Sequence, residues 1–301
     1  MADYCISCCS TADLSLDYFA RRNIKVIYFH FELGGVSYLD DCGISVPPEK
    51  LFKEMLAGAP TRTSQISVGE YEEFFEEMLS AGHDVLHLTL SSGISGTISS
   101  AMIAKNELQA KYPDRKIYVV DSLAASSGYG LIMDTLADLR DKGYSIDRLH
   151  EWVIANRLKM NHWFFSTDLT FFIRGGRVSK TAGTFGKLLN ICPLLNVDYL
   201  GRLIPREKVR TKAKVIRRNF EKMVEFAQDG TDYSGKCFIS HSACHDDAVR
   251  LAMLIEENFP KLNGKVEIFP IGATIGSHTG PGTVALFFWG EERSVENPGK
   301  N

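Results

Sequence analysis

Three short segments gather hydrogen-bond donors that could hold an anion. Ser91-Ser92-Gly93-Ile94-Ser95-Gly96-Thr97 follows an apolar run and opens a helical pattern. Its small residues admit close backbone approach, and the first turn of the helix presents unpaired N–H groups. Thr61-Arg62-Thr63-Ser64-Gln65 brings hydroxyl, amide and guanidinium donors together in a polar loop between two helices. Gly276-Ser277-His278-Thr279-Gly280-Pro281-Gly282-Thr283 reads as a rigid turn before an apolar strand. Each also has a plainer reading as a helix cap or turn. The first segment lacks the Lys-Ser/Thr ending of a phosphate loop and the glycine spacing of a dinucleotide fingerprint. Three donor-rich loops without a metal cluster or a paired acid and base favour binding an anion over transforming it.

One enzymatic alternative stays open. Gly93-Ile94-Ser95-Gly96 follows a strand and opens a helix as a nucleophile elbow does, one residue short of G-x-S-x-G. A serine acyl hydrolase would use Ser95, with His278 as its base. Cys5-x-x-Cys8 has the spacing of half a zinc or redox site, but no second Cys or His cluster completes it. Its segment reads as a buried strand, in which free Cys behaves as a small hydrophobe.

The 301 residues carry a formal net charge of -3 with acids and bases spread throughout, which gives no footprint for nucleic acid. No signal peptide or apolar run of membrane-spanning length is seen, and seven irregularly spaced cysteines do not form a disulfide framework. The expectation is a soluble, cytoplasmic protein with free thiols.

The elements that must position the donor loops alternate. Strands are expected at 4–9, 24–31, 84–90 and 116–120, and helices at 13–22, from Pro47-Pro48, at 68–81 behind the capping box Ser67-x-x-Glu70, and at 97–111. A Gly-containing ribbon covers 33–43, and one more helix follows Asp121-Ser122. This predicts an α/β fold whose N-terminal parallel sheet is covered by helices, with ligands at the carboxyl ends of the strands. Beyond residue 160 the pattern changes to strands 162–167, 191–197, 236–241, 266–271 and 284–289. These are joined by a hairpin about Gly201 and by helices 211–228 and 246–258, which predicts an α+β domain with a mixed sheet. The domains are therefore expected at 1–160 and 161–301, the second covering the tail of any long ligand.

Six strings, in order along nearly the whole chain, carry a resemblance. They are Thr63-Ser64-Gln65, Ser92-Gly93-Ile94-Ser95-Gly96-Thr97, Asp121-Ser122, Arg174-Gly175-Gly176-Arg177-Val178-Ser179, Leu188-Leu189-Asn190-Ile191-Cys192-Pro193 and His278-Thr279-Gly280-Pro281-Gly282. Together they resemble the DegV family of bacterial fatty-acid-binding proteins. The resemblance implies a carrier rather than an enzyme. It would need no cofactor and would hold a fatty acid of about fourteen to eighteen carbons, presenting the carboxylate to a separate kinase subunit that makes acyl phosphate for phospholipid synthesis. It places carboxylate binding on Thr63 and Ser95 with Ser64, Gly96 and Thr97 beside them, sets His278 and Arg174 toward the head group or phosphoryl group, and makes Arg202 a candidate for partner contact. Two departures stand out: Cys9 precedes Ser10-Thr11 where the family usually has Asp, and Ile66 replaces Pro after Gln65.

A sixteen-carbon tail offers about fifteen methylene equivalents. At roughly 0.8 kcal/mol each, their burial approaches about 12 kcal/mol before association costs. The head group needs donors to offset desolvation. Phe164, Phe165, Phe171, Phe172, Leu188, Leu189, Leu194 and Leu195 are the candidates for tail walls, though such residues are more often plain core than ligand lining. The Lys/Arg-rich run from Arg206 to Arg218 is either a solvated face or a docking face for an acidic kinase surface or anionic lipid, which leaves room for transient membrane contact.

Overall fold

The computed structural model describes residues 4–179 and 191–295. In chain order the first part runs β1 (Tyr4–Cys9), α1 (Leu16–Arg21), β2 (Ile24–Ile27), β3 (His30–Leu33), β4 (Val36–Leu39), α2 (Pro48–Leu56), β5 (Thr61–Ser64) and α3 (Val68–Ser80). It continues through β6 (Asp84–Thr89), α4 (Thr97–Lys111), β7 (Ile117–Asp121), α5 (Ser127–Asp141) and α6 (Ile146–Asn156). Next come β8 (Met160–Ser166), α7 (Thr170–Arg174), β9 (Ile191–Val197), β10 (Leu203–Arg210) and α8 (Lys212–Phe226). The rest is β11 (Phe238–His241), α9 (His245–Asn258), β12 (Glu267–Pro270), α10 (Ala273–Thr279) and β13 (Thr283–Trp289).

The fold is the expected α/β arrangement. Strands β2-β1-β6-β7 form a parallel sheet flanked by helices, and β10-β9-β8-β13-β11-β12 form a second, mixed sheet. One apolar cluster runs between them, from Ile6, Leu86 and Leu88 through Leu131 to Phe164, Leu195 and Phe287. A second cluster, with Trp163, Phe220 and Phe288, lies among residues of β8, β13, α8 and α9. Cys5 and Cys8 have opposite parity on β1, so they point to opposite faces and cannot converge on one ion; all seven cysteines are unpaired. No helix among the described residues is long and apolar enough to cross a membrane.

Four expectations need correction. The single strand expected at 24–31 is two strands, because the chain leaves the parallel sheet after Ile27 and β3 builds a separate antiparallel sheet, β4-β3-β5. The expected ribbon is its β3–β4 hairpin, turning at Gly34-Gly35 with φ +59 and +87. Thr61–Ser64, read as loop, is strand β5, because β3 offers it an open edge that pairs Phe31 with Thr63 and His30 with Ser64. His278, read as part of a turn, sits on helix α10. That helix is capped from far away in the sequence: the Asp40 carboxylate accepts the Ala273 and Thr274 N–H groups, each at 3.1 Å, and Asp13 accepts Gly272 N–H at 3.0 Å. The one helix expected after β7 is two, broken at Gly143 (φ +84) and restarted by Ser145, whose hydroxyl caps Arg148 N–H.

Where local chemistry decides, the elements fall as the residues dictate. Ser67 and Glu70 complete both bonds of the capping box that opens α3. The β9–β10 hairpin turns at Gly201 (φ +72) and lays its backbone on the Ser91–Gly93 loop, where Ser91 Oγ donates to the Gly201 carbonyl at 2.8 Å. A Cβ at Gly201 would stand 1.9 Å from Ser91 Oγ, so only glycine fits there.

Two stability predictions follow from these placements. Gly201→Ala lowers unfolding free energy by about 1–3 kcal/mol in urea titration, from positive φ and overlap together; an unchanged midpoint contradicts the close packing. His87 lies in the core of β6 and burial holds its pKa down at about 3. The unfolded chain therefore takes up that proton first, and stability attributable to His87 falls as pH drops through the window from about 6.5 to about 3. Between pH 6.5 and 5 this amounts to about 2 kcal/mol of loss that His87→Gln escapes, read as the difference between the two proteins' urea midpoints; equal losses would show that His87 is not held neutral.

Candidate ligand-binding site

A cavity of about 240 Å³ opens between the two main sheets. The parallel sheet contributes the segments that leave its carboxyl ends: Leu90 with Ile94, Ser95 and Gly96 after β6, and Ala125 with Ser126 after β7. The second sheet contributes the inner faces of its strands, Phe164 of β8, Val197 of β9, Leu203 of β10, and Ala285 and Phe287 of β13. The period of two selects these residues and turns their neighbours away. Phe29, Ile271, Ile275 and Phe172 complete a largely apolar wall.

His162 belongs to that wall despite its type. Its Nε2 accepts the Ala125 N–H at 3.3 Å, so Nδ1 carries the proton and donates to the Met160 carbonyl at 3.1 Å. Burial, with Arg293 adding to it, pushes its pKa well below the usual range. A neutral imidazole with both nitrogens satisfied presents an apolar surface.

One corner of the cavity is polar, and a chain of contacts joins its members. Thr63 Oγ1 is hydrogen-bonded to His278 Nε2 at 2.8 Å. His278 Nδ1 packs so near Gly175 that a Cβ there would lie 2.3 Å away. Arg177 donates to the Gly175 carbonyl at 2.6 Å and to the Ile94 carbonyl at 3.2 Å. Gly96 lies beside the Gln65 amide, and a Cβ would stand 2.9 Å from its Oε1. Burial, then the neighbouring guanidinium of Arg177, pushes His278 down to about 4. At neutral pH the corner thus holds one half-buried cation, Arg177, and a neutral imidazole.

The donors are ordered for an anion. Thr97 N–H donates to Ser95 Oγ at 3.3 Å, which leaves the Ser95 hydroxyl proton free. With His278 protonated on Nε2, its N–H donates to Thr63 Oγ1 and frees the Thr63 proton as well. Two hydroxyls and a guanidinium then face the same space. The geometry is poor for a hydrolase, because the His278 nitrogen a nucleophile would need is engaged by Thr63. Among the described residues no carboxylate is hydrogen-bonded to His278.

The residues singled out from sequence divide clearly. Thr63, Ser95, Gly96 and His278 line the cavity together. Ser64 is exposed on the other face of β5, as strand alternation requires. Thr97 turns its side chain away, into a hydrogen bond with Tyr71 OH at 2.9 Å. Arg174 is exposed at the end of α7 with its guanidinium 5.4 Å from the Phe171 ring centroid, and the arginine that reaches the cavity is Arg177. Arg202 lies outside the cavity and grips Asp198 through two bonds of 2.9 and 2.7 Å.

Among the tail-wall candidates, Phe164 and Phe172 line the cavity. Phe165 and Leu194 belong to the other apolar cluster, Leu195 packs behind the wall, and Phe171 packs beside the Gly280 turn; Leu188 and Leu189 lie outside the described residues. Cys9, the departure from the family pattern, is fully buried beneath the site and does not line it. Arg177 and Gln65 stood in the sequence motifs, but which of two arginines turns inward depends on the Gly175-Gly176 turn. Phe29, His162 and Phe287 carried no local signal.

Comparison with known proteins agrees with this fold. The family model described as "Uncharacterised protein, DegV family" matches residues 8–291. A DegV domain-containing protein of Clostridium perfringens is 34% identical over 284 residues, covering 94% of this chain and 96% of the relative. A Thermus thermophilus structure described as fatty acid binding of a DegV family protein superposes with TM-score 0.85 at 25% identity, covering 96% of this chain and 99% of that one. The Streptococcus pneumoniae fatty acid kinase B3 protein loaded with linoleic acid shares the fold, with TM-score 0.83 at 22% identity, covering 97% and 100%. Matched along most of its length by both the family model and this relative, the chain belongs to the DegV family.

Proposed function

We propose that this protein binds a long-chain fatty acid with its tail in the cavity between the sheets. The hydroxyls of Thr63 and Ser95 hold the carboxylate, with the Gly96 amide and the Arg177 guanidinium beside it. The observation that carries the reading is the cavity's division into a long apolar wall and one polar corner where Thr63, Ser95, Arg177 and His278 meet. Apolar burial supplies affinity, and the corner offsets the desolvation of the carboxylate and fixes its orientation. We further propose that the bound carboxylate is presented to a separate kinase subunit, which forms the acyl phosphate. The description of the pneumococcal neighbour as a fatty acid kinase protein suggests this second step.

Titration of delipidated protein with hexadecanoic acid tests the site. Thr63→Val and Ser95→Ala should each weaken binding about tenfold or more, the loss of one charge-assisted hydrogen bond, while far-UV circular dichroism stays unchanged. Affinity equal to wild type in both variants excludes this corner as the head-group site. A hydrolase would instead release product from an activated ester, and the carrier should show no turnover.

Binding should also couple to protons. His278 begins with a pKa of about 4, and a carboxylate placed beside its Thr63 partner favours the imidazolium, raising that value. Between about pH 4 and the raised value, the complex therefore takes up a proton that the free protein does not hold. Calorimetry at pH 5 in buffers of different ionisation enthalpy should show net proton uptake that His278→Gln reduces; an identical buffer dependence in wild type and variant would place the carboxylate elsewhere.

A further inference from the structure

A thread of buried polar side chains crosses the N-terminal core and ends at the first turn of α4. Ser7 on β1 and His87 on β6 are register partners, and Ser7 Oγ is hydrogen-bonded to His87 Nδ1 at 2.9 Å. The other imidazole nitrogen faces Cys9 Sγ at 3.7 Å. Cys9 Sγ lies 3.3 Å from Tyr71 OH, and Tyr71 OH lies 2.9 Å from Thr97 Oγ1. All five side chains are inaccessible to solvent. None of them belongs to the wall of the cavity.

Such a thread is an unusual element in a core. Each member would lose free energy without its partners, and an apolar set of the same shape would hold the sheet and helices as well. Its direction is informative. It starts in the centre of the parallel sheet and finishes on the residue whose backbone N–H donates to Ser95 Oγ. Gly96, the residue preceding α4, provides no side-chain cap, so the Tyr71 contact fixes the Thr97 side chain where no local group does.

We infer that Tyr71 is a positioning residue for the head-group corner: through Thr97 it holds the start of α4 so that Ser95 aims its free hydroxyl proton into the cavity. This inference rests on the fatty-acid reading above and adds a residue that never touches the ligand. It implies a selective effect. The donor geometry at one end of the ligand depends on Tyr71, whereas the apolar wall does not.

The test compares two ligands with the same tail, hexadecanoic acid and 1-hexadecanol, in the full-length protein. Tyr71→Phe keeps the ring packing and deletes the hydroxyl. It should weaken binding of the acid about tenfold while leaving the alcohol within about twofold of wild type. Thr97→Val cuts the same thread from the other side and should give the same split, so it carries the test if the tyrosine variant does not fold. Combining the two should weaken acid binding no further than either alone. Equal losses for both ligands, no loss for either, or additive effects in the double variant would overturn the positioning role. A wild-type protein that does not prefer the acid over the alcohol would overturn the carboxylate reading itself, a result distinct from a preference that Tyr71→Phe leaves intact.

Discussion

The hydrogen bond between Thr63 and His278 joins residues 215 positions apart and sets the polar corner at its 2.8 Å length. Neither partner is placed by its own neighbours in sequence. Thr63 faces inward because β3 captures β5 in register, and His278 faces inward because α10 is held at its start by Asp13 and Asp40. Both carboxylates are fully buried, and burial raises their pKa values, most strongly for Asp13. The helix N–H groups and the Ser126 hydroxyl are their compensation. The corner is thus the product of two long-range captures.

A protein that holds a fatty acid must solve opposing problems within one cavity. The tail wants a dry wall, yet the backbone segments around the cavity end in loops with polar groups. Here those groups are satisfied among themselves: His162 spends both nitrogens on backbone, Thr283 donates to Ser166, and Ser126 bonds Asp13. What remains unspent is the Thr274 hydroxyl and the group of donors at Ser95, Thr63 and Arg177. Separating spent from unspent donors leaves a largely apolar lining with one polar corner.

Much of this was legible in the residues. The strand–helix alternation, the capping box at Ser67 and the Ser91–Thr97 loop are local signals, and local chemistry decides them. Thr63, Ser95 and His278 could be named because their motifs resemble a family. Ser64 faces away because 61–64 is a strand, and that strand exists only through its pairing with β3, which no local residue pattern announces. The motif match points to Arg174, yet two arginines flank the same glycines, and only the turn geometry at Gly176 (φ +72) tells apart the one that reaches the cavity. The caps on α10, the His162 wall and the Tyr71 thread involve partners dozens to hundreds of residues away, for which a single sequence carries no periodic or motif signal.

The central claim is that this cavity holds a fatty acid. The most direct measurement is mass spectrometry of an organic extract of the purified protein, quantified against protein concentration and against a blank purification. A near-stoichiometric fatty acid of about fourteen to eighteen carbons is the expected result, with a tail long enough for its burial to dominate affinity. An empty extract, together with failure of the protein to take up added fatty acid, would contradict the account.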